Sequence, residues 1–171
     1  MENNSYTIEL YDLEENDHIL INRATEIIQK SYSQEHGNKV SCALMTADGK
    51  IFEGISIQRG TVTNCAEAGA ISSMTIDDPN NKIELIVAVR GKNQSVIPPC
   101  GICRELLLTT CPEAYAIVKI CDNKTNYNDD NNCNEEQMLK KVKHNPIYKK
   151  IKIKSLLPYP YLSTHSKVVL T

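Results

Sequence analysis

The chain predicts an α/β fold, a three-layer α/β/α sandwich with a mixed central sheet. Three observations carry this expectation. The elements run helix, hairpin, helix, strand, helix, strand. Residues 83–89, Ile-Glu-Leu-Ile-Val-Ala-Val, form a near-continuous apolar run of the kind found in a strand covered on both faces. The helix before it, 65–76, is rich in Ala, Gly and Ser, whose small side chains let a helix approach a sheet closely. At 171 residues the chain reads as one domain, 1–171, long enough to bury a core.

Taken in order, residues 1–15 are polar and acidic and read as a loose N-terminal arm. A helix is predicted over 17–32 with Asp17 as N-cap, because Leu20, Ala24, Ile27, Ile28 and Tyr32 recur at helical spacing. After a loop at 34–38, segments 39–46 and 51–57 read as a β-hairpin, with Asp48-Gly49 in the tight turn. Residues 58–64 read as a loop containing Gly60, leading into the helix at 65–76. Turn residues 77–81 end that helix, and the strand at 83–89 follows. A loop over 90–98, stiffened by Pro98-Pro99, leads to a helix at 100–110 that Pro112 stops, and 115–121 is a further strand. Residues 122–147 form a low-complexity insertion, dominated by Asn and Asp up to 134, with a short amphipathic helix at 135–142. Lysines cluster over 140–154. The alternation Lys150-Ile151-Lys152-Ile153-Lys154 fits an edge strand with lysines facing water better than a nucleic-acid patch. Residues 162–171 form a tail.

Composition narrows the function. A formal net charge of −2 argues against a phosphate-binding surface, so no nucleic-acid polymer is expected as partner. The N-terminus lacks the basic and apolar regions of a signal peptide, and no apolar run reaches membrane-spanning length. Seven cysteines, an odd number, fit reduced thiols in a cytoplasmic protein better than a disulfide framework. Cys42 and Cys121 read as small core residues, while Cys111 and Cys133 carry no assignment. His18, His36, His144 and His165 have no ligand-like spacing to the cysteines and read as surface residues.

The remaining cysteines form a constellation: Cys65-Ala66-Glu67, and Pro99-Cys100-Gly101-Ile102-Cys103. A C-x-x-C pair alone serves equally as a redox couple, a structural zinc clip or two core thiols. Three thiolates and a water, however, complete a tetrahedral zinc site with an open position, whereas closed structural sites use four protein ligands. Cys65, Cys100 and Cys103 are therefore the expected Zn2+ ligands. Glu67, two residues after Cys65, is placed to reach a water there without ligating the metal. Both segments open helices, whose N-termini favour thiolates.

These residues resemble the cytidine deaminase family, in its small all-cysteine zinc branch, and the related blasticidin S deaminases. The resemblance covers about 40–118 and returns at 156–161. It rests on Asp48-Gly49-Lys50-Ile51-Phe52-x-Gly54, Asn64-Cys65-Ala66-Glu67, Pro99-Cys100-Gly101-x-Cys103-Arg104 and Leu156-Leu157-Pro158. It implies a zinc hydrolase that converts the 4-amino group of a cytosine nucleoside to a carbonyl with release of ammonia, Glu67 carrying the protons. It also implies that Ala66, through its amide, Pro98, through its carbonyl, and Ser56 and Gln58, at the sugar, bind a small aminopyrimidine substrate. Tyr161 is implied to approach a neighbouring subunit's pocket in a homotetramer or homodimer. Three positions depart from the family pattern. Ser56 and Gln58 replace a sugar-binding Asn and Glu. Asn38 stands where an aromatic residue packs on the base. Ala68 replaces an Arg that eases the thiolate charge, a role Arg104 or the helix dipoles could take over. The alternatives are a deaminase of a modified cytosine compound of the blasticidin S type, and a non-catalytic zinc-stabilised binding module.

Overall fold

The structure, a computed structural model, describes residues 8–120 and 146–157. Cys121, Cys133, His144, His165, the helix expected at 135–142, most of the 122–147 insertion, Tyr161 and the tail lie outside the described residues.

The elements are α1 (Glu15–Ser31), β1 (Val40–Thr46), β2 (Ile51–Ile55), β3 (Ile57–Arg59), β4 (Val62–Asn64), α2 (Ala66–Asp77), β5 (Ile83–Arg90), β6 (Ser95–Ile97), α3 (Gly101–Thr110), β7 (Tyr115–Ile120) and β8 (Ile147–Lys152), followed by a 3-10 turn at Ile153–Leu156. The main sheet has the order β2-β1-β5-β7-β8, with β6 added on β5. It is mixed, because β5 and β7 run parallel and the other pairs antiparallel. Alternation along the strands splits the core into two layers. Ala43, Leu85, Val87, Val89 and Ile117 face α1, which contributes Leu20, Ala24 and Ile28. Cys42, Leu44, Ile86, Ala116 and Val118 face the opposite way, toward Ala70, Ile71 and Met74 of α2 and Leu107 and Leu108 of α3. The expected three-layer sandwich is thus present, with β5 buried from both sides.

Several local expectations are corrected. Asp17 is not the N-cap of α1. Glu14 caps it, and Asp17 is the third helical residue of a reciprocal capping box. Residues 58–64 are not a plain loop, since β3 and β4 pair as a small exposed hairpin turning at Gly60, whose φ of 55° suits the first position of a two-residue turn. Within 90–98, β6 pairs with β5. The N-terminal arm is held rather than loose at Tyr11, which exchanges backbone hydrogen bonds of 2.9 and 2.8 Å with Lys150. That contact covers the outer edge of β8. Lys150 is therefore 9% exposed rather than solvated, with its ammonium 2.9 Å from both Asp17 and Glu14. The strand ends at Lys152, and Ile153 turns into the core.

Candidate active site

Two helix starts converge at one end of the sheet. Cys65 is the N-cap of α2 and Cys100 the N-cap of α3, both in extended backbone conformation. Cys103 follows in the first turn of α3, so its thiol turns back toward the same N-terminus. The three sulfurs lie within 4.8 Å of one another, and Cys65 Sγ is 3.8 Å from Cys100 Sγ. A tetrahedral ion with bonds of about 2.3 Å holds its sulfurs about 3.8 Å apart, so the spacing fits zinc. It is far beyond a disulfide bond, and all three cysteines are free. The donor set is soft and, among the described residues, limited to three ligands. Cys103 is buried, Cys65 half-buried and Cys100 exposed, so the cluster opens on the Cys100 side.

The thiols also share protons in a way that suits replacement by a cation. Burial, then the nearby Glu67 carboxylate, pushes Cys103 far above an ordinary thiol. Burial likewise raises Cys65. Burial acts to raise Cys100 too, but hydrogen bonds from the Cys103 backbone and from the Cys103 and Cys65 thiols outweigh it and hold Cys100 below its usual value. Two helix N-termini add positive potential at the same point. The arrangement is that of a ligand set whose charge a metal completes.

Glu67 is 5% exposed, in the first turn of α2 beside the cluster. Ala66 is fully buried at the first helical position, where a backbone N–H has no partner within the helix. Pro98 is exposed at the approach to α3. Arg104 donates from Nε to the Pro99 carbonyl at 2.9 Å, bracing the turn that presents Cys100.

Ser56 has a different employment from the one its position implied. Its hydroxyl donates to the Gly37 carbonyl at 3.1 Å and accepts from the amides of Lys39 and Val40 at 3.0 Å each. A hydroxyl has one donor and two acceptor positions, so nothing is left for a ligand. Ser56 braces the 37–40 segment. Gln58 is exposed on β3, next to Gly37. Tyr161 is outside the described residues.

Gly54 has a structural role that its sequence position hinted at, as a glycine inside a strand. A Cβ there would lie 2.1 Å from the Ala66 carbonyl oxygen and 2.4 Å from the Ala70 nitrogen. Its absence lets the first turn of α2 lie directly on β2, which sets the height of Cys65 and Glu67 above the sheet.

The family model described as the cytidine and deoxycytidylate deaminase zinc-binding region matches residues 14–119. The blasticidin-S deaminase of Bacillus cereus is 31% identical over 119 residues, covering 64% of this chain and 84% of that protein. The cytidine deaminase of Mycoplasma genitalium is 29% identical over 110 residues, covering 63% and 82%. Among solved structures, the cytidine deaminase from Mycobacterium tuberculosis superimposes with a TM-score of 0.59 at 19% identity, over 89% of this chain and 100% of that one. The cytidine deaminase from Mycobacterium leprae does so at 0.54 and 25% identity, over 61% and 89%.

Proposed function

The chain belongs to the family defined by the cytidine and deoxycytidylate deaminase zinc-binding region, and on that premise we propose that it is a zinc-dependent hydrolase removing the 4-amino group of a cytosine nucleoside, cytidine or deoxycytidine, as ammonia. The observation that carries this reading is the buried Glu67 carboxylate beside a three-thiol cluster with an open side. Bound at Cys65, Cys100 and Cys103, zinc supplies Lewis acidity that readies a water for attack near neutral pH. The Glu67 carboxylate takes the proton from that water and delivers it to the ring nitrogen, making C4 electrophilic. The oxygen left by that water bonds to C4, and Glu67 then moves that oxygen's remaining proton to the amino group, so that the C4–N bond breaks, ammonia leaves and C4 keeps a carbonyl. The Ala66 N–H donates to the pyrimidine carbonyl, the Pro98 carbonyl faces the leaving ammonia, and Gln58 reaches the sugar. Low exposure of Glu67 keeps bulk water from competing for its protons.

The enzyme is a single cytoplasmic domain that assembles as a homotetramer or homodimer, with Tyr161 of one subunit approaching the next subunit's pocket. The exposure of Ile102 at 78% and Val62 at 63%, both close in sequence to the ligands, supports a subunit covering this end. Removing residues from 159 onward tests this. Lost activity with zinc retained supports a shared site, and full activity in a stable monomer opposes it.

A second reading, deamination of a modified cytosine compound of the blasticidin S type, is favoured by the engaged Ser56 hydroxyl, which leaves no side chain there for a ribose. A non-catalytic zinc module has no use for a buried carboxylate beside the ligands. An ammonia-release screen of zinc-loaded protein over cytidine, deoxycytidine, cytosine, deoxycytidylate and blasticidin S decides among the three. Silence across the whole panel would sink the catalytic reading.

A further inference from the structure

The formal net charge of −2 conceals a local reversal. Three segments border the end of the sheet where the thiol cluster lies, 32–40, 56–65 and 90–100. Together they carry Lys39, Arg59, Arg90 and Lys92 against a single carboxylate, Glu35. All four cations are exposed, and among the described residues none has an ion-pair partner. By contrast Lys149, Lys150 and Lys152 of β8, and Lys154 after it, are each paired with a carboxylate. Like charges left unpaired on one rim repel one another, and a bound anion relieves that repulsion.

Arg90 is the best placed of the four. It ends β5 opposite Val40 on β1, and residues paired in this way point to the same face. Val40 packs against the core layer between the sheet and helices α2 and α3. Ala66, the residue between Cys65 and Glu67, is buried in that layer. Arg90 therefore projects onto the face where the two helix starts converge. Deeper on β1 lies Cys42, whose thiol is raised by burial and then by the charge of Glu67, so that carboxylate is close to it. Cys42 pairs with Ala88, and Arg90 stands two residues, about 7 Å, farther out along the same face. That separation suits a compound that presents its reacting ring to Glu67 and a charged group to the rim. The Gly91 amide donates to the Lys39 carbonyl at 2.8 Å, which sets Lys39 and Lys92 on either side of Arg90. Ser56 and Gln58 bring no opposing charge.

We infer that Arg90, flanked by Lys39 and Lys92, binds an anionic group, a phosphate or a carboxylate, that the cytosine compound carries away from its 4-amino group. This rests on the deaminase reading above and names anionic cytosine compounds as the preferred substrates of that site. A guanidinium offers either anion two parallel N–H donors, so one residue reads both charge and orientation.

The test compares kcat/KM of zinc-loaded protein for deoxycytidine, deoxycytidylate and the 5′-carboxylate of deoxycytidine. At least one of the two anions should be preferred over deoxycytidine, and which one it is tells phosphate from carboxylate. Raising the ionic strength should shrink the preference. Arg90→Gln should lower the ratio of anionic to neutral kcat/KM about tenfold, the worth of one charged hydrogen bond, with the loss mainly in KM. Arg90→Glu should reverse the preference. The ratio is internal to each preparation, so a partly misfolded variant does not distort it. Lys82→Gln, just before β5 at its far end, should keep the wild-type ratio. Deoxycytidine turned over as well as both anions, a ratio indifferent to Arg90→Glu, or an equal fall in Lys82→Gln overturns the inference and leaves the deaminase reading standing. An oligodeoxycytidylate preferred over deoxycytidylate also overturns it, and assigns the rim to single-stranded nucleic acid. A wild type that binds zinc yet deaminates none of these compounds overturns the functional reading, and this inference with it.

Discussion

At the scale of single residues, Glu67 combines two properties that rarely coincide, a carboxylate and 5% exposure, without being a metal ligand. Glu67→Gln keeps the size and the hydrogen-bonding shape but cannot carry a proton. Activity should fall at least about a hundredfold, the usual scale for a positioned acid–base group, while zinc content and the unfolding midpoint stay at wild-type values. Retained turnover in the presence of one zinc per chain would assign proton transfer to another group. The three thiols and Glu67 are legible in the sequence, because their spacing along the chain survives into the first turn of a helix. The employment of Ser56 is not. The family resemblance implies a place near the sugar for it, but only three-dimensional packing brings the amides of Lys39 and Val40 to within 3.0 Å of it.

At the scale of elements, the site depends on how closely α2 lies against β2. Gly54 and Gly69 face each other across that contact, yet they tolerate change differently. A Cβ on Gly54 would run into helix backbone at 2.1 Å, whereas one on Gly69 would meet its nearest neighbour, the Gly54 Cα, at an ordinary 3.5 Å. Gly54→Ala should lift the first turn of α2, costing about 1–3 kcal/mol of stability and lowering zinc occupancy by metal analysis. Gly69→Ala should retain zinc and gain up to about 1 kcal/mol from helix propensity. Equal behaviour of the two variants would rule out this account of how α2 is seated. The long elements were legible because burial marks many residues at once, as a near-continuous apolar run on β5 and as helical spacing on the Leu20, Ala24, Ile28 face of α1. The strands β3, β4 and β6 have three residues each, too few for any alternation to register.

At the scale of the whole molecule, the N-terminal segment, α1 and β8 are joined through Lys150. Burial alone would lower the pKa of this ammonium, but hydrogen bonds to Asp17 and Glu14 prevail and hold it above 10.5. A group raised in the folded state contributes stability that is complete below its unfolded value and fades as pH climbs through the folded one. Burial of Cys111, pushed up from 9.0 to about 12, acts with the same sign. Stability measured by denaturant titration should therefore hold near neutrality and decline between pH 9.0 and about 12. Lys150→Met should cost about 3–5 kcal/mol at pH 7 by leaving Asp17 a buried charge without its partner. In that variant the alkaline decline should be shallower. The sequence showed the lysine alternation but not this pairing, because the Tyr11 bridge that covers β8 joins residues nearly a chain length apart.

The convergence of Cys65 and Cys100 has one more consequence, for the unfolded chain. The two positions are 35 residues apart, and the span between them contains all of α2, β5 and β6. An ion gripping both ends acts as a cross-link, and closing a loop of that length in advance removes disorder worth about 4 kcal/mol on a chain-entropy estimate. Stripping zinc with a chelator should accordingly lower the denaturation midpoint, and amide hydrogen exchange should accelerate most within this loop. The central strand of the sheet is thus fastened from outside the sheet, and the ion that readies water for chemistry also limits how far the chain can come apart.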